Sequence, residues 1–399
     1  MLLTISEKIL AFIAGFGILQ GFLLSGLLYF HPKSDKSVNI YLSLYIFFIS
    51  AVMTIPFMMN VIGWQNSYFI QPLPLVPGIL LYFYILSFKQ TINWRKAWLH
   101  FIIVLIFFFL TYFNLKAMSE IYPDAKEVPA EGLKRPLTLF VMISRAIQQV
   151  IYYFLARRAL NSYQRSIHHL YSEISRIDLR WARFLINGYL ILICSFLIIF
   201  PLMLRFPEYF NSLLLITMGI ATPYIYMAAY KGFTQHTIWQ VRPQVSKEAV
   251  QEEIHIAEEI VVDNNHPAKQ KMDRSGINDE RTAELTKRIT LLMEKDKLYQ
   301  ETELTLQQLA VKLDVPAYQV SLALNDGMKK SFYDVVNGYR VEEAKRLLLD
   351  GNSRNYTILS VGFEAGFNSK TTFNTVFKKF TGLTPTEFRE KERQSFQPA

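Results

Sequence analysis

The residues best suited to chemistry lie in two settings, an apolar first part and a polar last part of the chain. In the first part, Arg145 stands in the middle of an apolar stretch, and Gln148 and Gln149 follow three and four positions later. Residues at these spacings share one face of an α-helix. A guanidinium and two amides in an apolar setting predict a site for an anionic or carbonyl-bearing ligand. The competing interpretation is structural, with Arg145 bonded to helix carbonyls or reaching outward.

The sequence contains no pattern typical of an enzyme. Of the seven histidines, only His100 falls in an apolar stretch, and there is no His/Glu zinc spacing or pair of intramembrane acids. The single cysteine, Cys194, cannot form a disulfide within the chain, and we expect it to be a small buried apolar side chain. We therefore predict no catalytic site, no metal and no cofactor.

The net charge of +9 belongs to the apolar part. Residues 1–240 hold 19 Lys and Arg against 9 Asp and Glu, whereas residues 241–399 hold 23 against 24. Charged residues make up 19% of the chain, and soluble domains carry about 25%. The composition excludes a disordered or wholly soluble protein, and the basic charge alone does not indicate nucleic-acid binding.

Seven apolar stretches each approach the roughly 20 residues that cross a bilayer as a helix. They lie at 9–30, 38–59, 69–88, 97–115, 136–157, 184–204 and 209–230. Pro72, Pro74 and Pro77 predict an irregular or kinked start to the third stretch. The first stretch is expected to be retained, because its flank, Glu7-Lys8, lacks the net positive charge of a signal peptide. The predicted fold class is all-α, with a seven-helix membrane bundle over residues 1–240.

The basic residues of the loops predict how this bundle is oriented. Loops 31–37, 89–96 and 158–183, together with Arg157 and the start of the segment after the last stretch, hold 12 Lys and Arg against three acids. The segments on the opposite side of the bundle hold six Lys and Arg and six Asp and Glu. We therefore expect the N-terminus outside and residues 231–399 in the cytoplasm, with the bundle in a bacterial inner membrane.

Loop 158–183 also repeats apolar residues at helical spacing, among them Ile167, Leu170, Tyr171 and Ile174. Three interpretations stay open: a basic loop that sets topology, a helix on the membrane surface, or a contact with the C-terminal domain.

After a polar connector at 241–280, predicted to be a flexible linker, the last part has the pattern of a compact helical domain. Helices are predicted at 283–299, 306–313, 317–326, 332–350, 358–366 and 370–380, with a last short one after Pro385. They form two helix-turn-helix patterns about 50 residues apart, with Thr305 as the cap of the first helix of the first pattern. One long helix joins the two patterns.

The string GFNSKTTFNTVFKKFTGLTPTEFR at 366–389 resembles the signature of AraC/XylS-type transcriptional regulators. The matching residues are Gly366, Phe367, Phe373, Phe377, Lys378, Lys379, Gly382, Thr384, Pro385, Phe388 and Arg389. The upstream YRVEEAKRLL at 339–348 resembles the bridging helix of that family. The resemblance is confined to about residues 281–395, implies a DNA-binding domain over 281–399, and, with a multispan N-terminus, resembles a membrane-bound subset of these regulators.

The resemblance places the base-reading face of the second unit at Ser369, Lys370, Thr371, Asn374 and Thr375, and Lys378 and Lys379 suit phosphates. Thr375 stands where the family often has Arg, so a strong guanine contact is not expected there. In the first unit, Tyr318, Ser321, Leu322 and Asn325 occupy the outward face. By contrast, Phe367, Phe373 and Phe377 are predicted to be core anchors. Residues 281–399 hold 18 basic and 15 acidic residues, which predicts modest nonspecific affinity.

The leading hypothesis is a membrane-integrated, sequence-specific transcription regulator that couples a signal sensed by the bundle to promoter binding. The alternative is a transporter- or receptor-like protein whose cytoplasmic domain is a protein-interaction module. The leading hypothesis implies double-stranded DNA and the lipid bilayer as partners. It also allows a small-molecule ligand in the bundle, RNA polymerase and a second copy of the chain.

Overall fold

The computed structural model describes residues 5–31, 36–58, 73–89, 92–121, 132, 134–175, 177–234, 275–350 and 357–395. Within these ranges the chain is helical, with no strand. It divides into two compact units, the first formed by residues 1–163 and 179–242 and the second by residues 164–178 and 243–399. Most of the predicted linker at 241–280 lies outside the described residues.

The first unit is built from eight α-helices in its described part. Their bounds are α1 (Ile5–Phe30), α2 (Lys36–Phe57), α3 (Val76–Leu86), α4 (Trp94–Ala97), α5 (Leu99–Ile121), α6 (Pro136–Leu170), α7 (Arg180–Arg205) and α8 (Phe210–Thr234). The last residues of α6, from Gln164 onward, belong to the second unit.

Five helical segments are long and apolar enough to cross a membrane. They are Ala11–Phe30, Val38–Ile55, Trp94–Asn114, Pro136–Leu170 and Arg180–Arg205. These correspond to the first, second, fourth, fifth and sixth predicted stretches, and the last predicted stretch forms α8, which is not among the five.

The third predicted stretch is a shorter apolar segment, Leu73–Leu86. A 3-10 turn at Leu73–Leu75 precedes α3, and Pro77 stands in the first turn of that helix. Proline fits there because the first N–H groups of a helix have no partner within it. The prediction of an irregular start is confirmed for the described residues.

Helices α1, α2 and α8 approach each other through small residues. A Cβ added to Gly17 would lie 2.7 Å from Thr222 Cγ2, so only glycine permits this approach of α1 to α8. Between α1 and α2, Ser25 Oγ donates to the Ser43 carbonyl at 2.9 Å and Ser43 Oγ donates to the Ser25 carbonyl at 2.8 Å. Small side chains and interhelical hydrogen bonds of this kind are typical of helix packing in a bilayer.

The outer surface of the first unit is apolar. Phe12, Leu19, Phe154 and Ile198 are each more than 60% exposed. Cys194 is also exposed, so the expectation that it is buried was wrong. The reason is that α7 is apolar on its exposed face, with Ile191 and Ile198, as well as on its packed face, so an apolar run does not reveal which side chains pack inward.

The second unit contains seven further helices in its described part. They are α9 (Ser275–Glu294), α10 (Leu306–Leu313), α11 (Ala317–Leu322), α12 (Phe332–Leu349), α13 (Ile358–Glu364), α14 (Lys370–Thr381) and α15 (Pro385–Ser395). We call α10 and α11 the first helix pair, and α13 and α14 the second helix pair.

Helix α12 joins the two pairs because its residues pack into both hydrophobic clusters. Phe332, Val335 and Val336 pack in the first cluster with residues of the first pair. Val341, Ala344 and Leu348 pack in the second cluster with residues of the second pair. The phenylalanines predicted to be core anchors, Phe367, Phe373 and Phe377, are fully buried in the second cluster, so that prediction is confirmed.

Candidate nucleic-acid interface

The first helix pair begins and turns through local hydrogen bonds. Thr305 caps α10 by accepting from the Gln308 N–H, and the Gln308 side chain accepts from the Thr305 N–H, which completes a capping box and confirms the predicted cap. Asp314 ends α10 in the left-handed conformation with φ of 54°. Pro316 precedes α11 in an extended conformation with no side-chain cap. A tight turn therefore sets the direction of α11.

The second helix pair uses a glycine at its turn. Gly366 has φ of +93°, a conformation that side chains with a Cβ rarely adopt. The Phe367 N–H then donates to the Gly362 carbonyl at 2.9 Å, and Ser369 caps α14 by accepting from the Thr372 N–H at 3.2 Å. Helix α14 ends at Gly382, also with positive φ.

The second pair exposes most of the residues that the sequence predicted to contact DNA. Lys370, Thr371, Thr375 and Lys378 are exposed, and Asn374 is half-buried. Positions 371, 374, 375 and 378 are three or four residues apart and so share one face of α14. This face offers hydroxyl, amide and ammonium groups, which are the groups that bind base edges and phosphates.

Ser369 and Lys379 have other partners within the unit. Ser369 is the half-buried cap of α14. Lys379 Nζ lies 2.9 Å from Asp334 Oδ1 and 4.9 Å from the centre of the Tyr333 ring. The Lys379 ammonium is therefore held at the start of α12, and a phosphate contact would have to compete with Asp334.

The first pair exposes fewer of its predicted residues. Tyr318 is 47% exposed, and Leu322 is half-buried. Ser321 is only 4% exposed, which differs from the outward position expected for it. Asn325 is half-buried, and its Nδ2 donates to Ser321 Oγ at 3.3 Å. Ser321 is buried because it shares a helical face with Ala317 and Leu324, which pack in the first hydrophobic cluster. A wider π turn at Ala323–Gly327 follows α11 and changes the helical phase before Asn325.

The acidic groups near this surface are held in the charged form. Burial would raise the pKa of Asp334, but the Ser331 and Lys379 hydrogen bonds and the Lys379 charge outweigh it and lower that pKa. In Glu343, the hydrogen bond from Arg346 lowers the pKa. Lys312 and Lys345 also pair with acids at 2.7 Å. The basic residues of α10 and α12 are therefore partly neutralised, whereas the exposed cations of α14 include Lys370 and Lys378.

The sequence analysis assigned no role to Arg340, a fully buried residue of α12. Its Nε donates to the Tyr299 carbonyl and its Nη2 donates to the Glu301 carbonyl, both at 2.7 Å. Burial lowers its pKa to about 10, so the guanidinium is still charged at neutral pH. A signal was present in the sequence, because Arg340 falls on the same helical face as Val336 and Ala344, which are apolar.

The residues predicted to bind a ligand lie together in the first unit. Gln148 Nε2 donates to the Leu75 carbonyl at 3.1 Å, and Gln149 Nε2 donates to the Pro74 carbonyl at 3.4 Å, so both amides hold the 3-10 turn before α3. Arg145 is 9% exposed, and its Nη1 lies 3.9 Å from Met142 Sδ. Among the described residues, Arg145 Nε and Gln148 Oε1 are buried without a hydrogen-bond partner.

In the part of the chain that the structure describes, no group of three or more His, Cys, Asp or Glu side chains is placed to hold a metal ion.

Comparison with protein families identifies one segment of the chain. The family model of a helix-turn-helix domain, of the AraC type, matches residues 309–391. These residues run from the middle of α10 into α15 and include the second helix pair and most of the first. The comparisons with curated proteins and with solved structures found no match.

Proposed function

We propose that this chain, with its AraC-type helix-turn-helix domain, is a membrane-integrated transcription regulator that binds promoter DNA in a sequence-specific manner. The observation that carries the proposal is the family match over residues 309–391, combined with the exposed polar face of α14. The rival function is a transporter or receptor with a protein-interaction module. The exposed face of α14 favours it less, because such a module does not need hydroxyl, amide and cationic groups along one face.

In this proposal the domain is a double helix-turn-helix, and α11 and α14 read two successive major grooves, separated by roughly 10 bp. Lys370, Thr371, Asn374 and Thr375 contact base edges, with Ser369 at the cap. Lys378 binds a phosphate, and Lys379 does so when it leaves Asp334. In the first pair, Tyr318 and Leu322 make the main contacts, and Ser321 and Asn325 contribute by holding the end of α11.

We place the first unit in a bacterial inner membrane with the C-terminal domain in the cytoplasm. Five segments of sufficient length, the exposed apolar side chains and the Lys and Arg bias of the loops support this placement. Our proposal keeps seven spans, with Leu73–Leu86 and α8 as the two additional ones, and the N-terminus outside. The domain boundaries proposed are 1–240 for the membrane bundle, 241–280 for the linker and 281–399 for the DNA-binding domain.

The signal is proposed to act on the bundle at Arg145. A buried guanidinium with an unpartnered Nε, beside the unpartnered Oε1 of Gln148, leaves one donor and one acceptor for a small molecule. An anion with a hydroxyl group satisfies both. Gln149 supports the site by holding the turn at Pro74. The proposal also allows RNA polymerase and a second copy of the chain as further partners at a promoter.

The test is DNA binding by the full chain in lipid nanodiscs. Fluorescent DNA from upstream of the protein's own gene is titrated against scrambled DNA of equal length at a fixed salt concentration. The proposal expects the upstream DNA to bind at least about a hundredfold more tightly. Equal binding of both, or no binding of either, would favour the rival function.

A further inference from the structure

The segment at residues 164–178 connects α6 and α7, two of the helices long enough to cross a membrane, yet it belongs to the same compact unit as the DNA-binding domain. We call residues 164–178 the clasp. It comprises the last turns of α6, ending at Leu170, and an irregular stretch after it. Its packing bears on how the domain is regulated.

The clasp joins the first helix pair by both main-chain and apolar contacts. Leu170 is 2% exposed and lies in the first hydrophobic cluster. Tyr171 forms an antiparallel bridge with Thr305, the cap of α10. At the next residue, the Ser172 N–H and Oγ both donate to the Leu304 carbonyl, at 3.2 and 2.7 Å. The clasp is thus hydrogen-bonded along the entry to α10.

The clasp also satisfies buried polar groups of α12. Asn337 Nδ2 donates to the Ser172 carbonyl at 2.9 Å, and Arg340 Nη2 lies 3.3 Å from Ser172 Oγ. Asn337, Arg340 and Ser172 are each 1% exposed or less. Withdrawal of the clasp would break these hydrogen bonds and expose the Asn337 and Arg340 donors, which are buried when it is docked. Removing the clasp would therefore disturb the middle of α12.

Contacts of the clasp reach the second hydrophobic cluster as well. Ile174 packs against that cluster, and the His168 ring lies 4.7 Å from the ring of Tyr333, one of its buried members. The clasp thus contacts both clusters, and the helix pairs they contain, while bonding to the helix that joins them. It is placed to fix the orientation of one pair relative to the other.

The docked clasp leaves the base-reading ends of the recognition helices free. Among the described residues, the clasp meets predicted DNA residues through a hydrogen bond between His169 and Asn325, at the end of the first recognition helix, and through the charge of Lys379 near His168. Recognition helices contact bases mainly through their first residues, and Tyr318, Lys370 and Thr371 are exposed at those positions. The docked arrangement is therefore compatible with a bound duplex.

We propose that the clasp is the regulatory link of the protein: docked, it holds the two helix pairs in the spacing that DNA binding requires, and its withdrawal weakens DNA binding. The connection of the chain supports this role, because α6 leads into the clasp and α7 follows it. A movement of either helix would therefore pull on the clasp. The inference rests on the proposed function and adds the route by which a signal in the bundle reaches the DNA-binding surface.

A reversible disulfide tests the docking in the full chain. Residues opposite each other in an antiparallel bridge have Cα atoms about 4.5–5.5 Å apart, which a disulfide spans. We would combine Tyr171→Cys and Thr305→Cys with Cys194→Ala, and insert a protease site between residues 265 and 266. Docking predicts that mild oxidation in nanodiscs keeps the two cleaved fragments joined until a reductant is added. Tyr171→Cys with Val311→Cys is the matched control, because Val311 is 70% exposed on α10, and it should not form the link.

DNA affinity is then measured in both redox states. The oxidised protein should bind its own upstream DNA as tightly as the reduced protein, or more tightly. Ser172→Arg, which puts a charge where the clasp is buried, should lower that affinity at least about tenfold. Ser175→Arg, the same change three residues further on, should leave the affinity within about twofold of the unchanged chain. The disulfide experiment changes no buried residue of α12, so it still measures docking if Ser172→Arg unfolds the domain.

The outcomes separate the clasp from the proposed function. Failure to form the disulfide, or unchanged DNA affinity in Ser172→Arg, would overturn the regulatory role of the clasp. DNA binding by the chain would in that case still support the proposed function. An oxidised form that binds DNA more than about tenfold more weakly than the reduced form would also overturn it, because the docked clasp would then be inhibitory. A chain that forms the disulfide completely but binds no DNA in either the oxidised or the reduced state would contradict both the proposed function and the regulatory role of the clasp.

Discussion

Asn337 Nδ2 donates to the main-chain carbonyl of Ser172 at 2.9 Å, although the two residues are 165 positions apart in the chain. The same amide group donates to the Tyr333 carbonyl, also at 2.9 Å, so both of its N–H groups are used. A fully buried amide with this arrangement makes Ser172 part of the core around α12. The DNA-binding unit is therefore assembled from two distant parts of the sequence.

Arg340 is expected to be essential to the stability of this unit. Arg340→Ala removes the donors that serve the Tyr299 and Glu301 carbonyls and leaves a cavity, so we expect a loss of about 3 kcal/mol in the free energy of unfolding. Urea unfolding followed by proteolysis of the C-terminal unit measures it. Arg346→Ala on the same helix is the control, because Arg346 has a 58% exposed side chain and should contribute less than about 0.5 kcal/mol. Equal effects of the two changes would contradict this role.

Gly366 and Gly382 provide a matched pair with positive φ angles of 93° and 79°. A Cβ at Gly366 would lie 2.7 Å from Gln300 Cα and from the Tyr299 carbonyl oxygen, whereas a Cβ at Gly382 would meet nothing within 4 Å. Gly382→Ala should cost about 1 kcal/mol of stability from backbone strain alone. Gly366→Ala should cost about 3 kcal/mol or more, because the clash adds to the strain. Thermal unfolding of both variants decides the point, and similar melting temperatures would contradict the packing at Gly366.

Lys378 is expected to bind phosphate without reading sequence. Lys378→Ala should weaken binding to upstream and scrambled DNA by the same factor and reduce the slope of log K against log salt by about 1. Asn374→Ala should instead reduce discrimination at one base pair, by about 1–3 kcal/mol. Lys312→Ala, which removes a cation already paired with Glu301, serves as the control for charge alone. If Lys312→Ala and Lys378→Ala change the salt slope equally, the phosphate contact is not at α14.

The Asp334 pair predicts how stability depends on pH. Because the folded-state pKa of Asp334 lies below its ordinary value of 3.8, the carboxylate stabilises the fold above about pH 4, and this contribution is lost as the pH falls through the lowered pKa. The stability difference between the unchanged chain and Asp334→Asn should therefore be constant from pH 7 to about pH 5 and should shrink below about pH 4. Asp326 pairs with Lys329 at a more exposed position, so Asp326→Asn should change the stability less than Asp334→Asn at every pH. If the stability difference between the unchanged chain and Asp334→Asn grew as the pH fell, the lowered pKa of Asp334 would be contradicted.

Arg145 is expected to be needed for sensing and not for membrane insertion. Arg145→Gln should abolish the response of a promoter reporter while the amount of protein in the membrane is unchanged. The same substitution at Arg158, which is exposed further along the same helix, should leave the response intact. Loss of the Arg145→Gln protein from the membrane would support the structural interpretation, in which the guanidinium stabilises the bundle.

The sequence alone determined the local structure of the C-terminal unit. The predicted helices at 306–313, 332–350 and 370–380 lie within one residue of α10, α12 and α14. Capping residues, turn glycines and the 3.6-residue apolar period act over a few residues, so they can be read from neighbouring positions. The buried phenylalanines of α14 were predictable for the same reason.

Only the tertiary structure decided which distant residues meet. The burial of Ser321 depends on which face of α11 packs into the first hydrophobic cluster, and the exposure of Cys194 depends on which face of α7 packs inward. The contact of Ser172 with Asn337 and Arg340 joins a loop between two apolar helices to a helix far along the chain. No periodicity encodes such a contact, because it forms only when separate elements fold together and each buried polar group must find a partner in space. The sequence left three interpretations open for loop 158–183, and the packing of residues 164–178 against α10 and α12 selected the third.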